Sequence, residues 1–497
     1  MRTLALTPLA GLVSGGLGLG AGHLAAALTR PSTSPLLAVG STVIDRTPTS
    51  LKEWAIAHFG THDKEVLLGS VLVVVLLVAA GIGLLAARSW VAGEAGLLAL
   101  SAVSAACVLT RPAAHVADVM PTVVTAVVAG ACLALLTGQI RRVETVGGRR
   151  AVLWLGAAAA VALAAGETGR RIAAYRGRPE AVTLPAPASP APALPAGIER
   201  LAPGVSPFRT PTGSFYRVDT RLDVPVVSTS DWTLRIDGDV RRPFTIDFAG
   251  LLAMPLIERD ITLTCVSNSV GGPYVGSARW LGVRLGDLLD RAGYGRGADQ
   301  ILSTDVDGMT ISTPLALATD GRDAMVAVGM NGAPLPREHG FPARLVIPGL
   351  YGFISATKWV TRLTLTTYAA QSAYWTQRGW ATDAPIRISS RIDTPRALAQ
   401  LHAGEVVVGG VAWAQENGGV ARVELQVDGG PWRPAHLGPS GGNDYWRQWY
   451  ARWEATPGTH TLSCRVTDGA GQVQSPVRRT PYPSGASGIQ SILVTVA

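Results

Sequence analysis

The chain has 497 residues, of which 47% are hydrophobic and only 16% are charged, against about 25% charged in an ordinary soluble protein. With a mean hydropathy of +0.26, this excludes a disordered or fibrous chain and one soluble along its whole length. The formal net charge is +8 and nearly all of it is arginine, since the lysines are Lys52, Lys64 and Lys358. No basic helix, zinc spacing or aromatic platform accompanies that charge, so nucleic acid is not expected as a partner. Cys107, Cys132, Cys265 and Cys464 lie too far apart for a CxxC or zinc pattern, and two of them fall in apolar runs, which speaks against a disulfide framework.

Five apolar runs crowd into residues 1–166: Leu9–Leu28, Val66–Ala87, Val91–Leu109, Val119–Leu136 and Ala151–Ala165. A spanning helix needs about 20 mainly apolar residues. The second run meets this without a charge, the first is loosened by Gly15, Gly16, Gly18, Gly20 and Gly22, which suit close helix packing, and the fifth is short and alanine-rich. An N-terminal transmembrane domain of about five helices is expected over residues 1–176. The loop with Arg141, Arg142, Arg149 and Arg150 is the most basic and is placed in the cytoplasm. Counting spans puts the N-terminus inside and everything after residue 166 outside, although Arg170, Arg171, Arg176 and Arg178 pull the other way. The stretch Gly148-Arg149-Arg150-Ala151-Val152-Leu153 resembles a twin-arginine export signal, which supports a multi-pass membrane protein with its later part extracytoplasmic. His23, His58, His62 and His115 show no spacing for a bis-histidine haem.

Residues 177–212 are rich in proline and alanine and read as a semi-rigid linker. Beyond it, short alternating runs such as Trp232–Ile236 and Ile261–Leu263, with a helix over Leu285–Ala292 closed by Gly293, predict an α+β domain over residues 213–380. From 381 to 497, apolar runs at Val406–Val411, Val420–Val427, Trp446–Trp453, His460–Val466 and Ile489–Val496 alternate with turn signals, the pattern of an immunoglobulin-like β-sandwich. Cys464 reads as core packing. Trp413, Trp446 and Trp453 read as core or interface, with core favoured by their alternating strand positions.

Two clusters carry chemistry. Thr262-Leu-Thr-Cys265-Val-Ser-Asn268 delivers a thiol from the end of a strand into a glycine-rich loop. Arg337-Glu-His339-Gly-Phe-Pro-Ala-Arg344, followed by Ser355 and Lys358, sets basic groups and donors around a second strand. Arginine in such a place matches phosphate or a polar heterocycle through paired hydrogen bonds. A soft thiolate beside it suits a thiolate-loving metal in an anionic organic cofactor.

On these residues the chain resembles the molybdopterin-dependent sulfite oxidase superfamily, in a membrane-anchored bacterial form. The match runs over residues 213–370, with a further C-terminal one. The resemblance implies a molybdenum–molybdopterin cofactor, with Cys265 as metal ligand and Asn268 in its T-L-x-C-x-x-N setting. It implies that His339, Arg344, Ser355 and Lys358 hold the pterin and its phosphate. The family's F-x-R-N-H segment corresponds to Phe215-Tyr216-Arg217-Val218-Asp219, so Tyr216 and Arg217 are candidate cofactor contacts and Arg217 a candidate catalytic residue, while the Asn-His pair is replaced. Asp307, or less directly Asp305, takes an acidic position of the family. Trp380 aligns with the family's active-site tyrosine and is the remaining catalytic candidate. The arginines that bind sulfite in the family are replaced by Ser269-Val270-Gly271 and Asn417-Gly418-Gly419-Val420, with Arg378 as a candidate substitute. Sulfite is therefore disfavoured and oxygen transfer on a sulfoxide-type small molecule is the remaining expectation.

The resemblance also implies a homodimer through the C-terminal domain. With no CxxCH or iron–sulfur cysteine run, electrons are expected to pass through a separate carrier, quinone-linked or a haem protein. The alternative is a membrane-anchored, non-catalytic binding or receptor protein that keeps the fold without a working metal site.

Overall fold

A computed structural model describes every residue except 1, 49–50, 52–53, 56–57, 60–61, 147–148, 177–179 and 219–220. Gly148, Arg178 and Asp219 therefore lie outside the described residues. The chain divides into two compact units, residues 1–179 with 219–226, and residues 180–218 with 227–497.

In the first unit the five apolar runs fall in helices α1 (Arg2–Leu28), α3 (Asp63–Arg88), α4 (Trp90–Leu109), α5 (Met120–Val146) and α6 (Arg149–Arg176), and a further helix that no run announced, α2 (Pro35–Arg46), stands between the first two. Helix α1 packs against α3, α5 and α6, and its glycines explain how. A Cβ on Gly18 would stand 2.6 Å from the Thr125 carbonyl oxygen and one on Gly20 2.7 Å from that of Ala162. Gly11 and Gly83 meet so closely that a side chain on either would strike the other helix's backbone. Small residues are what allow such contact between apolar helices. Four stretches, Leu6–Leu28, Lys64–Arg88, Trp90–Leu109 and Val116–Ile140, are long and apolar enough to cross a membrane. Helix α6 holds the fifth apolar run and is not among the four. The four histidines each have a local partner: His23 lies 3.2 Å from the Ser34 hydroxyl, His58 2.8 Å from the Trp54 carbonyl and His62 3.0 Å from Glu65. The backbone N–H of His115 donates to Asp118 at 2.9 Å.

The second unit is β-rich. One sheet has the order β2-β1-β10-β5-β6, built from β1 (Thr233–Gly238), β2 (Phe244–Asp247), β5 (Gln300–Asp305), β6 (Thr310–Pro314) and β10 (Val360–Thr366). A second has the order β3-β4-β7-β8, from β3 (Leu256–Thr264), β4 (Val275–Arg284), β7 (Met325–Met330) and β8 (Ala333–Pro334), with β9 (Arg344–Val346) paired to β7. Strand β7 is buried at every position, as its uninterrupted apolar run requires. Helix α7 (Leu285–Ala292) buries Leu285, Leu288, Leu289 and Ala292, and Gly293 closes it at φ 65°, a conformation glycine adopts without steric cost.

The C-terminal part contains two further sheets. One has the order β11-β13-β17-β16, from β11 (Ser389–Thr394), β13 (Gly404–Trp413), β16 (His436–Leu437) and β17 (Arg447–Ala455). The other has the order β12-β19-β18-β14-β15, from β12 (Gln400–Leu401), β14 (Val420–Val427), β15 (Arg433–Pro434), β18 (Gly458–Asp468) and β19 (Gln490–Val496). Trp449, Cys464 and Val466 are fully buried among their apolar side chains. Trp413 and Trp446 instead join the larger core around β1, β10 and α7, and the Trp446 ring N–H donates to the Phe208 carbonyl at 2.7 Å. They thus bind the two β-rich parts together rather than filling the C-terminal sheets.

From Glu180 onward the proline-rich tract packs along this unit. Ala188 donates to the Leu256 carbonyl at 2.8 Å, Glu258 to that of Ser189 at 2.9 Å, and Ile198, Ala202, Val205 and Phe208 are buried. Proline lacks a donor but accepts an edge position, and here the tract runs beside β3.

Candidate active site

Strand β3 ends at Thr264 and hands the chain to Cys265, whose backbone N–H donates to the Tyr274 carbonyl at 3.0 Å. Asn268 closes the loop: its N–H donates to the Cys265 carbonyl at 3.0 Å and its side-chain oxygen accepts from the Tyr274 N–H at 2.8 Å. Gly272 lies against that oxygen, where a Cβ would stand 2.6 Å away. Cys265 is a free, buried thiol. Burial raises its pKa, while hydrogen bonds from Ser267 and the charge of Lys358 act to lower it. In the preceding residue, the Thr264 hydroxyl is buried without a hydrogen-bond partner among the described residues.

The basic cluster is assembled by a tight turn. His339 ends a short 3-10 turn and Gly340 follows at φ 110°, packed where a Cβ would stand 3.0 Å from Arg344 Cβ and 3.1 Å from Lys358 Cβ. Arg344 is 6% exposed, yet its hydrogen-bond partners among the described residues are carbonyls, His339 at 3.1 Å and Ala356 and Leu345 at 3.4 Å. No carboxylate pairs with it among the described residues, and its guanidinium lies over the Trp280 ring at 5.1 Å. Lys358 donates to the Glu338 carbonyl at 3.1 Å. Burial lowers the Arg344 pKa to about 10. Burial, then the charges of Arg344 and Lys358, lower that of His339 to about 4, which keeps its ring neutral.

Tyr216 is half-buried and stacks on Phe215 at 5.1 Å, and Phe215 meets the His339 ring edge-on at 5.6 Å. Burial and then a charge on Cys265 push the Tyr216 hydroxyl up, and Arg344 opposes them. Tyr216, Cys265, Asn268, His339, Arg344 and Lys358 therefore occupy one neighbourhood.

The other candidates are placed differently. Arg217 is exposed. Asp307 lies on the turn capped by Asp305, whose side chain accepts from the N–H groups of Asp307 and Met309 at 2.8 and 3.0 Å. That turn abuts the basic cluster, since the Val306 N–H donates to the Trp359 carbonyl at 3.0 Å. Ser355 is fully buried at the end of α8 (Gly352–Ser355), its hydroxyl directed at the carbonyls of Leu350 and Tyr351 at 3.0 and 2.9 Å. Trp380 sits in an aromatic group with Phe353, Trp375 and Tyr482 at 5.5, 5.8 and 5.3 Å. Arg378 lies over the Tyr374 ring at 3.5 Å.

One residue that sequence reasoning passed over belongs to the neighbourhood. Tyr351, just before α8, is 4% exposed, and its hydroxyl accepts from the Arg387 N–H at 3.4 Å. Burial raises its pKa to about 12, with a smaller push from Cys265. Only the apolar run Leu345–Tyr351 leading out of β9 marked the segment as buried.

The donor set fits an anionic metal cofactor. A buried guanidinium without a carboxylate is costly unless an anion joins it, and a buried thiol and a neutral imidazole share its neighbourhood. Among the described residues no group of three or more His, Cys, Asp or Glu could hold a metal by itself, so a metal here would need ligands that come with its cofactor.

Residues 221–375 match the family model described as oxidoreductase molybdopterin binding domain. The sulfite oxidase of Gallus gallus is 29% identical over 316 residues, covering 54% of this chain and 68% of the relative. The mitochondrial sulfite oxidase of Drosophila melanogaster is 31% identical over 296 residues, covering 49% of this chain and 50% of the relative. The chain covers 57% of the length of the mitochondrial sulfite oxidase of Homo sapiens, 50% of that of the Drosophila protein and 21% of that of the nitrate reductase of Solanum lycopersicum. Among solved structures, the sulfane dehydrogenase SoxCD from Paracoccus pantotrophus aligns with a TM-score of 0.52 at 24% identity, over 58% of this chain and 81% of that one, a likeness of fold.

Proposed function

Because this chain is a molybdopterin-dependent oxidoreductase of the sulfite oxidase superfamily, we propose that it is anchored in a membrane by its N-terminal helices and catalyses two-electron oxygen-atom transfer on a small molecule outside the cytoplasm. Residues 1–176 form the membrane domain, 177–212 the linker, 213–380 the catalytic domain, and 381–497 an immunoglobulin-like domain suited to homodimer formation. The observation that carries the reading is the buried thiol of Cys265, which shares the neighbourhood of Tyr216 with Arg344, a buried guanidinium whose partners among the described residues are carbonyls.

When bound, the molybdenum cofactor supplies the two-electron couple and the position where oxygen is exchanged. The reaction balances as XO + 2 H⁺ + 2 e⁻ → X + H₂O, or its reverse, with electrons passing through a separate quinone-linked or haem carrier. Cys265 serves as the metal's protein ligand in its thiolate form, which coordination favours over the thiol. Arg344 and Lys358 bind the anionic pterin by charge, and neutral His339 and Tyr216 orient it by hydrogen bonds. Asn268 fixes the Cys265 loop through the Tyr274 N–H. In the same reading Arg217 and Trp380 are catalytic candidates, and Asp307 and Ser355 are candidate cofactor contacts.

The membrane reading draws support from the four long apolar helices and from outward apolar side chains on α6, where Leu153 and Leu163 are 71% and 76% exposed. With α6 as a fifth span, residues after 176 emerge opposite the N-terminus.

The test is the molybdenum and pterin content of purified native protein. One of each per chain, lost in Cys265→Ser while the fold persists, is the expected result. A native protein without either would falsify the reading and favour a binding protein instead.

A further inference from the structure

The loop between β18 and β19, residues 469–489, is longer than the about 12–15 residues usual for a connection without strands or helices of its own. It is nonetheless pinned along its length. The N–H groups of Arg479 and Ser487 donate to each other's carbonyls at 3.0 and 3.3 Å, and the Ser487 hydroxyl donates to the Val477 carbonyl at 2.7 Å. The Gly485 N–H donates to the Pro481 carbonyl at 2.7 Å. At the root of the loop the buried Gln474 side chain donates to the Gly488 carbonyl at 2.8 Å and accepts from the Val466 N–H at 3.1 Å. A loop ordered in this way binds without first losing conformational freedom.

What it presents outward is apolar and cationic. Val473, Val477 and Tyr482 are 42%, 56% and 45% exposed, and Arg478 and Arg479 are exposed beside them. The Arg478 guanidinium donates to the Ile489 carbonyl at 3.1 Å, and neither arginine pairs with a carboxylate among the described residues. Residues 469–497 contain no Asp or Glu. Asp468, where the loop leaves β18, is buried and turned inward, accepting from Asn417 at 2.8 Å and from the Ala470 and Gln472 N–H groups at 3.1 and 2.7 Å. Arginine can hold a phosphate while valine and tyrosine settle at the boundary of headgroup and hydrocarbon, so this mixture matches a lipid surface. An acidic protein would answer the charge but offers no such boundary. Carried on one chain with the membrane helices, the loop also meets lipid at high effective concentration, where a few weak contacts suffice.

We propose that this loop rests on the bilayer of the anchored protein and binds anionic phospholipid headgroups. Arg478 and Arg479 hold the phosphates, and Val473, Val477 and Tyr482 enter the headgroup region. This rests on the membrane anchoring proposed above and not on the cofactor.

The test uses the full-length protein in lipid nanodiscs. Cys107, Cys132, Cys265 and Cys464 are buried, so Val477→Cys adds a single exposed thiol. Its rate of modification by an uncharged, water-soluble maleimide is compared in discs of phosphatidylcholine alone and in discs that also contain phosphatidylglycerol. Ala421→Cys, exposed on β14, is the reference. Each arginine at an anionic surface contributes about fivefold, so Val477→Cys should react at least about tenfold more slowly in the anionic discs. Arg478→Glu with Arg479→Glu, or salt at about 0.5 M, should restore the rate, and Ala421→Cys should react alike in both lipids. Equal rates for Val477→Cys in the two lipids would overturn the proposal, as would slowing that survives the two arginine substitutions. Slowing by added polyglutamate and not by anionic lipid would assign the arginines to an acidic protein partner and overturn it as well. A native protein that leaves the bilayer in an alkaline carbonate wash defeats the anchoring itself, and shows this before any substitution.

Discussion

Arg344 donates to the carbonyl of His339 across 3.1 Å, five residues back along its own chain. The bond closes a loop whose inner corner is Gly340, and it leaves the guanidinium over the Trp280 ring at 5.1 Å. A positive charge is thus held where water is scarce and carboxylates are absent among the described residues.

If that charge exists to receive an anionic pterin, replacing it should release the pterin. Arg344→Gln keeps hydrogen-bonding capacity and removes the charge. It should weaken cofactor retention by about 10–100-fold, the usual effect of losing a supporting contact at a metal site. Molybdenum and pterin remaining after extended dialysis measure this, and full retention would count against the assignment.

Gly340 should tolerate no side chain. At φ 110°, with Arg344 and Lys358 within 3.1 Å of a hypothetical Cβ, Gly340→Ala combines backbone strain with crowding, at a cost of about 1–3 kcal/mol. A lower Tm together with faster molybdenum loss is expected. An unchanged melting curve would show that the loop can relax around the extra atom.

Asp444 predicts a pH signature. Burial, then the negative charge of Asp323, raise its pKa to about 6, above the ordinary value of 3.8. Between those values the folded protein holds a proton that the unfolded chain lacks, so this carboxyl destabilises the fold as pH rises from about 4 toward 6 and beyond. Its backbone carbonyl accepts from the Thr262 N–H at 2.8 Å, which makes it part of the brace on β3. Asp444→Asn should remove the slope and raise stability by about 1–2 kcal/mol at pH 7.5. Melting curves of both proteins from pH 4 to 8 provide the check, and parallel curves would refute it.

Gly83 meets the Thr7–Gly11 stretch of α1 backbone to backbone. Gly83→Leu should force α1 and α3 apart and reduce thermal stability in detergent, whereas Gly81→Leu, where a Cβ meets nothing within 4 Å, should be nearly neutral. Similar loss in both would remove close packing as the reason for these glycines.

Topology is tested in cells. A reporter active only outside the cytoplasm, fused after Gly213, should report activity, and Arg149→Lys with Arg150→Lys should abolish it if export follows the twin-arginine route. Activity from a cytoplasm-only reporter at the same point would reverse the orientation.

What the sequence by itself determined is what short-range periodicity encodes. The apolar runs became α1, α3, α4, α5 and α6, the Leu285-Leu288-Leu289 face became α7 with Gly293 at its end, and the alternating runs after residue 400 became β13, β14, β17, β18 and β19. Cys265, Asn268, His339, Arg344 and Lys358 were legible because each lies in a dense local pattern. Only the tertiary structure decided which distant groups join them. Tyr351 and Arg387 meet across 36 positions, Trp446 reaches Phe208 across 238, and the proline-rich tract turns out to lie along β3. Trp413 and Trp446 have the alternation of core residues, yet they serve a neighbouring core. Alternation states that a side chain is buried, but the packing of sheets far apart in the chain decides against what.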